Sequence, residues 1–231
     1  MKLEVIFEDN HLIAVNKPAG VLVQGDETGD KPLCDYVKDY IKARYGKPGD
    51  VFLGVCHRID RPVSGAVIFA RTSKALERMN KLFADREIDK KYWAVVNERP
   101  DPLEGTLVHY LDKDRDKNIT KALDAQSRRH PDAKRSELTY ALISSMGDQH
   151  VLEVHPQTGR SHQIRAQLSK IGLPIRGDVK YGARSPNVDA SICLHCRSMS
   201  FIHPTLKTPV VVTADTPKKE TAWQIFEKIL S

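Results

Sequence analysis

No apolar run in the chain approaches the ~20 residues that cross a bilayer. The opening MKLEVIFEDN carries acidic residues where a signal peptide has an uninterrupted apolar stretch. Together these imply a cytoplasmic protein with no membrane partner. Cysteine is scarce, with four in 231 residues. Cys193 and Cys196 have C-x2-C spacing, but Cys34 and Cys56 lie far apart, and a zinc ribbon needs two close pairs. The expectation is no metal, no disulfide and no cofactor. No dinucleotide fingerprint occurs, and no G-x-S-x-G elbow presents a serine nucleophile.

What is present is positive charge, unevenly spread. The net charge is +6, yet residues 1–50 hold seven Lys/Arg against nine Asp/Glu. The remainder therefore carries the whole surplus, which suits a polyanionic partner, nucleic acid first.

The order of elements reads as α+β, with a mixed, largely antiparallel β-sheet core flanked by a few helices and loops. No linker separates two folding units, so one domain over 1–231 is expected. Leu3–Glu8 and Leu12–Asn16 read as a hairpin through Asp9-Asn10, and Val21–Val23 as a short strand. Leu33–Tyr45 has helical spacing with Gly46 as its cap. Its tyrosines suit core or interface positions better than base-stacking platforms. Thr72 or Ser73 caps a second helix. Strands are expected at 88–96, 137–144, 150–155, 192–200 and 210–213, with a last helix at 220–230. Asp112–Arg135 holds eight Lys/Arg and five Asp/Glu. Its first half reads as a solvated loop, and Arg128–Arg135 as a contact for phosphates.

The chain is organised around Cys56–Gly65, C-H-R-I-D-R-P-V-S-G. Val51–Cys56 and Ala66–Ala70 read as buried strands, and Pro62 and Gly65 force a loop between them. Asp60 there lies between Arg58 and Arg61, with His57 just before. Flanking positive charge favours the ionised form of a carboxylate. Spacing alone also fits a surface Asp in a solvated turn. A second block, HPQTGRSHQIRAQLSKIG, reads as a helix capped by Thr158 or Ser161 and ended by Gly172. Ile164, Leu168 and Ile171 would face the core, and Arg160, His162 and Arg165 surround the N-terminal end. Such an end is a ready anion site, although an ordinary basic amphipathic helix has the same pattern.

These blocks carry a resemblance. His57-Arg58-Ile59-Asp60 with Ser64-Gly65 is similar to the H-R-L-D-x-x-T-S-G signature of the RluA family of pseudouridine synthases, with Ile59 for Leu and Val63 for Thr. KKYWAVV at 90–96 and TGRSHQIRAQL at 158–168 resemble two further blocks of the family in the same order. The opening VIFEDNHLIAVNKPAGVLV and the later GDVKYG and LHC segments extend the likeness over nearly the whole chain. The resemblance implies an isomerase acting on uridine in structured transfer or ribosomal RNA, without a separate S4-type RNA-binding domain, and a monomer is expected. It implies that Asp60 is the catalytic carboxylate, as nucleophile or as base at the sugar. Tyr92 would lie against the uracil, and Arg165 would pair with Asp60 and orient it. Arg58 would enter the helix where the base has flipped out. His57, Arg61, Arg160, His162, Gln163 and Ile164 would line the substrate site. The rival expectation is an RNA-binding or ribosome-assembly protein in which catalysis is secondary.

Overall fold

The computed structural model describes residues 1–218, 222–224 and 226. In chain order the elements are β1 (Val5–Glu8), β2 (Leu12–Lys17), α1 (Leu33–Tyr45), β3 (Gly54–Val55), β4 (Ser64–Ala70) and α2 (Ser73–Ala84). There follow β5 (Asp89–Val96), β6 (Glu104–Asp114), β7 (Ile119–Leu123), β8 (Lys134–Met146), β9 (Gln149–Pro156), α3 (Gln163–Lys170), β10 (Leu194–Ile202) and β11 (Pro209–Thr213). This is the expected α+β class with largely antiparallel pairing. Two compact units divide the chain, Met1–Lys90 with Cys196–Thr216, and Lys91–His195 with Pro217–Ser231.

In the first unit the strands run β1-β2-β4-β10, with β3 beside β4 and β11 beside β10. The centre is β4, whose seven residues are all buried. It pairs antiparallel with β2 from Leu12↔Ala70 to Lys17↔Gly65. Leu12, Ile13, Val15, Val67, Ile68 and Phe69 lose essentially all solvent contact, each worth roughly 1.5–3 kcal/mol for a fully buried large apolar side chain. The β1–β2 hairpin forms as its residues suggest, because Asp9 Oδ1 accepts from both His11 N and Leu12 N at 2.7 Å.

Helix α1 keeps its expected bounds and ends at Gly46, whose φ of 57° is the left-handed cap that glycine supplies. Val21–Val23 is not a strand. Leu22 O and Val23 O instead accept from Leu33 N and Cys34 N, satisfying two donors that the start of a helix leaves open. Tyr40 and Tyr45 each donate to Glu8 on β1, at 2.9 and 2.8 Å, and anchor the helix. Helix α2 is capped by Thr72, which accepts from Ala75 N.

In the second unit the order is β5-β9-β8-β6-β7. The first half of Asp112–Arg135 is not an open loop, since β6 and β7 form a hairpin from Tyr110↔Leu123 to Asp114↔Ile119. Charged side chains on a two-stranded ribbon give no apolar alternation, so the sequence hides it. Helix α3 packs beside that hairpin through Leu111, Ala166 and Tyr181, with Ile119 and Ala122 against them. Ile164 and Leu168 are buried as expected, but Ile171 is about one-third exposed because the helix has already ended. The helix expected at 220–230 falls largely outside the described residues. Among those described, Ala222, Trp223 and Phe226 are buried.

Candidate active site

The loop bearing Asp60 is pinned from below by a residue that the sequence reading passed over. Lys17, the last residue of β2, is 0% exposed. Its Nζ donates to Val21 O at 2.7 Å, Pro18 O at 3.0 Å and Arg61 O at 3.1 Å. Three donors and three carbonyls match the full capacity of an ammonium. Burial pulls the Lys17 pKa down from 10.5 to about 7, with the negative charge of Asp60 opposing the fall and Arg61 adding to it. The lysine therefore reads as a local brace, tying the turn after β2 to the carbonyl just after Asp60.

Two-way backbone contacts complete the brace. Gly20 N donates to Arg61 O at 2.8 Å, and Arg61 Nε donates to Gly20 O at 2.9 Å. Arg61 Nη2 pairs with Asp30 at 2.6 Å. Val63 N donates to Asp60 O at 3.1 Å, closing a turn around the aspartate. His57 is mostly enclosed. Its Nε2 accepts from Ile68 N at 3.0 Å, and its ring lies 4.9 Å from that of Phe83. Burial, with Lys90 nearby, drops its pKa to about 3, so it is neutral in the fold. Arg58, by contrast, is exposed. Burial lifts the Cys56 thiol to about 12, which leaves no thiolate for chemistry. Gly65 follows with φ of 115°, and a Cβ there would lie 2.3 Å from Cys196 O. Glycine alone lets β4 approach the β10 backbone so closely.

The second unit places Tyr92 on β5, opposite Val154 of β9. Arg165, on α3, is 5% exposed and forks onto Asp178, itself 1% exposed, with Nε–Oδ2 at 2.7 Å and Nη2–Oδ1 at 2.9 Å. Its guanidinium also lies 4.8 Å from the Tyr181 ring centre. The Tyr181 hydroxyl accepts from Thr120 N at 2.8 Å and meets His162 Nδ1 at 2.8 Å. Burial raises the Tyr181 pKa, keeping the phenol protonated.

Neither Thr158 nor Ser161 caps α3. His162 takes the cap position in a left-handed conformation, φ 53°. Thr158 is drawn away because Glu137 N donates to its hydroxyl, which donates in turn to Gln163 Oε1. Gln163 Oε1 also accepts from Arg160 N, and its Nε2 donates to Glu137 O at 3.0 Å. Gln163 thus ties the TGRSH turn to β8. Ile164 is buried beside it, while Arg160 is exposed.

The residues singled out from sequence therefore gather in two groups. His57, Arg58, Asp60 and Arg61 share one braced loop of the first unit. Tyr92, Arg160, His162, Gln163, Ile164 and Arg165 belong to the second. Sequence reasoning missed Lys17, Tyr181 and Asp178. Their signals were present in the N-K-P-A-G and G-D-V-K-Y-G stretches, but a lysine or a turn tyrosine is ordinarily exposed. Among the described residues no group of three or more His, Cys, Asp or Glu is placed to hold a metal ion, and no helix is long and apolar enough to cross a membrane.

Comparison with known proteins points one way. The family described as RNA pseudouridylate synthase matches residues 11–170. The chain is 33% identical to the tRNA pseudouridine synthase C of Vibrio vulnificus, over 98% of this chain and 95% of that protein. It is 30% identical to the ribosomal large subunit pseudouridine synthase D of Zymomonas mobilis, over 94% of this chain and 70% of that one. The solved structure of human RNA Pseudouridylate Synthase Domain Containing 4 superposes with a TM-score of 0.78 at 25% identity, covering 96% of this chain and 92% of that chain.

Proposed function

Because the chain belongs to the RNA pseudouridylate synthase family and is a pseudouridine synthase, we propose that it isomerises a specific uridine of a structured RNA, with Asp60 as the catalytic carboxylate. The N1–C1′ bond breaks, uracil turns, and a C5–C1′ bond forms, while the C5 proton leaves and N1 gains one. No redox partner is needed for that balance. Transfer RNA is the first substrate class to test, since the Vibrio relative bears that name, and ribosomal RNA the second, after the Zymomonas relative.

The observation that carries the reading is the braced loop, which fixes the backbone at Asp60 and at the residue after it. A carboxylate acting at a sugar carbon needs such placement, because small displacements of a reacting group cost large factors in rate. Tyr92 is assigned to the face of the uracil and to the C5 proton, and Arg165 supplies a cation whose position is set by Asp178 and Tyr181. Arg58 is free of the brace and suits insertion where the target base leaves the stack, a step costing a few kcal/mol. Arg160 and His162 suit phosphate contact at the start of α3. His57, Gln163 and Ile164 act by holding these loops in place.

The test is tritium release from RNA labelled at uracil C5, with unmodified transfer and ribosomal RNA assayed separately. Release from one pool, lost in Asp60→Asn while RNA binding stays within about twofold, is the expected result. Product formation by Asp60→Asn would overturn the role given to that residue. Binding without release from any RNA by the unaltered protein would favour an assembly role.

A further inference from the structure

The three tyrosines of α1 have separate fates. Tyr40 and Tyr45 spend their hydroxyls on Glu8, but Tyr36 turns to a different task. It lines an open pocket of about 390 Å³ with Pro18, Gly20, Val21, Leu22, Asp30, Lys31 and Arg61. That volume is in the range that accepts a small planar ligand. Arg61 follows Asp60 directly in the chain, so one lining residue of the pocket belongs to the braced loop that carries the carboxylate.

We propose that this pocket is a nucleotide subsite, holding the base of the residue next to the target uridine in the RNA strand. The inference rests on the synthase reading above and deepens it. When a target base leaves the stack, its neighbour loses a stacking partner. Tyr36 supplies a replacement face, and Val21 and Leu22 supply apolar walls. The Lys31 ammonium now covers the Tyr36 ring at 4.7 Å while pairing with Asp39 at 2.5 Å. An exposed cation–π contact is worth less than a base–aromatic stack, so an arriving base displaces the lysine from the ring. The occupant is a base and not a phosphate. Asp30 already neutralises Arg61 at 2.6 Å, and its carboxylate would repel a phosphate yet accept from a base amino or imino group. Lys31 and Arg61 offer donors to the carbonyls of the same base. The fixed rim, set by the Arg61–Gly20 contacts, gives this pocket a preference among bases at that position.

The experiment compares Tyr36→Leu, Tyr36→Phe and Lys31→Glu with the unaltered protein in single-turnover tritium release from the RNA pool it modifies. Thermal unfolding serves as the check on folding. Tyr36→Leu is expected to raise the half-saturating RNA concentration about tenfold, as one lost stack implies, with the saturated rate within twofold. Tyr36→Phe should match the unaltered protein, and Lys31→Glu, at an exposed position, should raise half-saturation about fivefold. Unchanged half-saturation in both Tyr36→Leu and Lys31→Glu, or equal losses in Leu and Phe, would overturn the subsite. If the unaltered protein releases no tritium from either pool, the synthase reading fails on its own. Anisotropy with octa-uridylate and octa-adenylate then decides the pocket separately. Tenfold weaker binding by Tyr36→Leu keeps it, and equal binding removes it.

Discussion

Lys17 in the first unit and Arg165 in the second are both cations with almost no solvent contact, and their surroundings handle the charge in opposite ways. Arg165 faces a buried carboxylate that grips it bidentately and a phenol ring that stacks on it. Lys17 faces three neutral carbonyls, with Asp60 as a more distant counter-charge. A guanidinium so held keeps its proton at any accessible pH. An ammonium so held gives way near neutrality. One region is thus a permanent fixture, and the other is a brace whose strength depends on pH.

The largest expected effect comes from unbalancing the permanent pair. Asp178→Asn leaves Arg165 buried without its carboxylate, which typically costs about 3–5 kcal/mol. Urea unfolding at pH 7 measures it, and a loss below about 1 kcal/mol would mean that Arg165 is balanced by other groups. Lys17→Met comes next. It removes a buried charge along with its bonds, so stability at pH 6 should fall by only about 1–3 kcal/mol. Activity should fall far more, on the order of 100-fold, because the loop carrying Asp60 loses its brace. Equal fractional losses of stability and activity would make Lys17 an ordinary core residue.

The third effect separates the two cations by pH. Between about pH 7 and 10.5 the unfolded chain carries a proton on Lys17 that the folded chain lacks. Stability therefore rises with pH across that window, by at most about 1.4 kcal/mol per unit from this group. Urea midpoints at several pH values should show the slope in Asp178→Asn and lose it in Lys17→Met. Smallest is His57→Gln, expected to shift stability by about 1 kcal/mol through a weakened bond to Ile68 N. Since His57 is already neutral above about pH 3, the activity profile between pH 5 and 8 should keep its shape.

Much of this architecture can be read from the chain. The bounds of α1 and the start of α2 follow from apolar spacing and from Gly46 and the Thr72-Ser73 pair, because a cap is written in one residue. The β6–β7 hairpin is hidden, since its lysines and aspartates give the same signature as a solvated loop. The start of α3 is misread because Thr158 has a competing partner in Glu137, a long-range contact that no local pattern contains. At the site, motif residues such as Asp60 and Arg165 stand out by type and order. Lys17 does not, because burying a lysine is costly and nothing in N-K-P-A-G announces that three carbonyls will converge on it.

The close approach at Gly65 changes how the motif itself is to be weighed. Asp60 is constrained by chemistry, whereas Gly65 is constrained by the closeness of two strands, since a methyl there would sit only 2.3 Å from Cys196 O. A lineage that abandoned catalysis but kept the fold would be free to lose the aspartate and would still carry the glycine. The two letters, five apart in one signature, would then drift at different speeds, and only the first would report on activity.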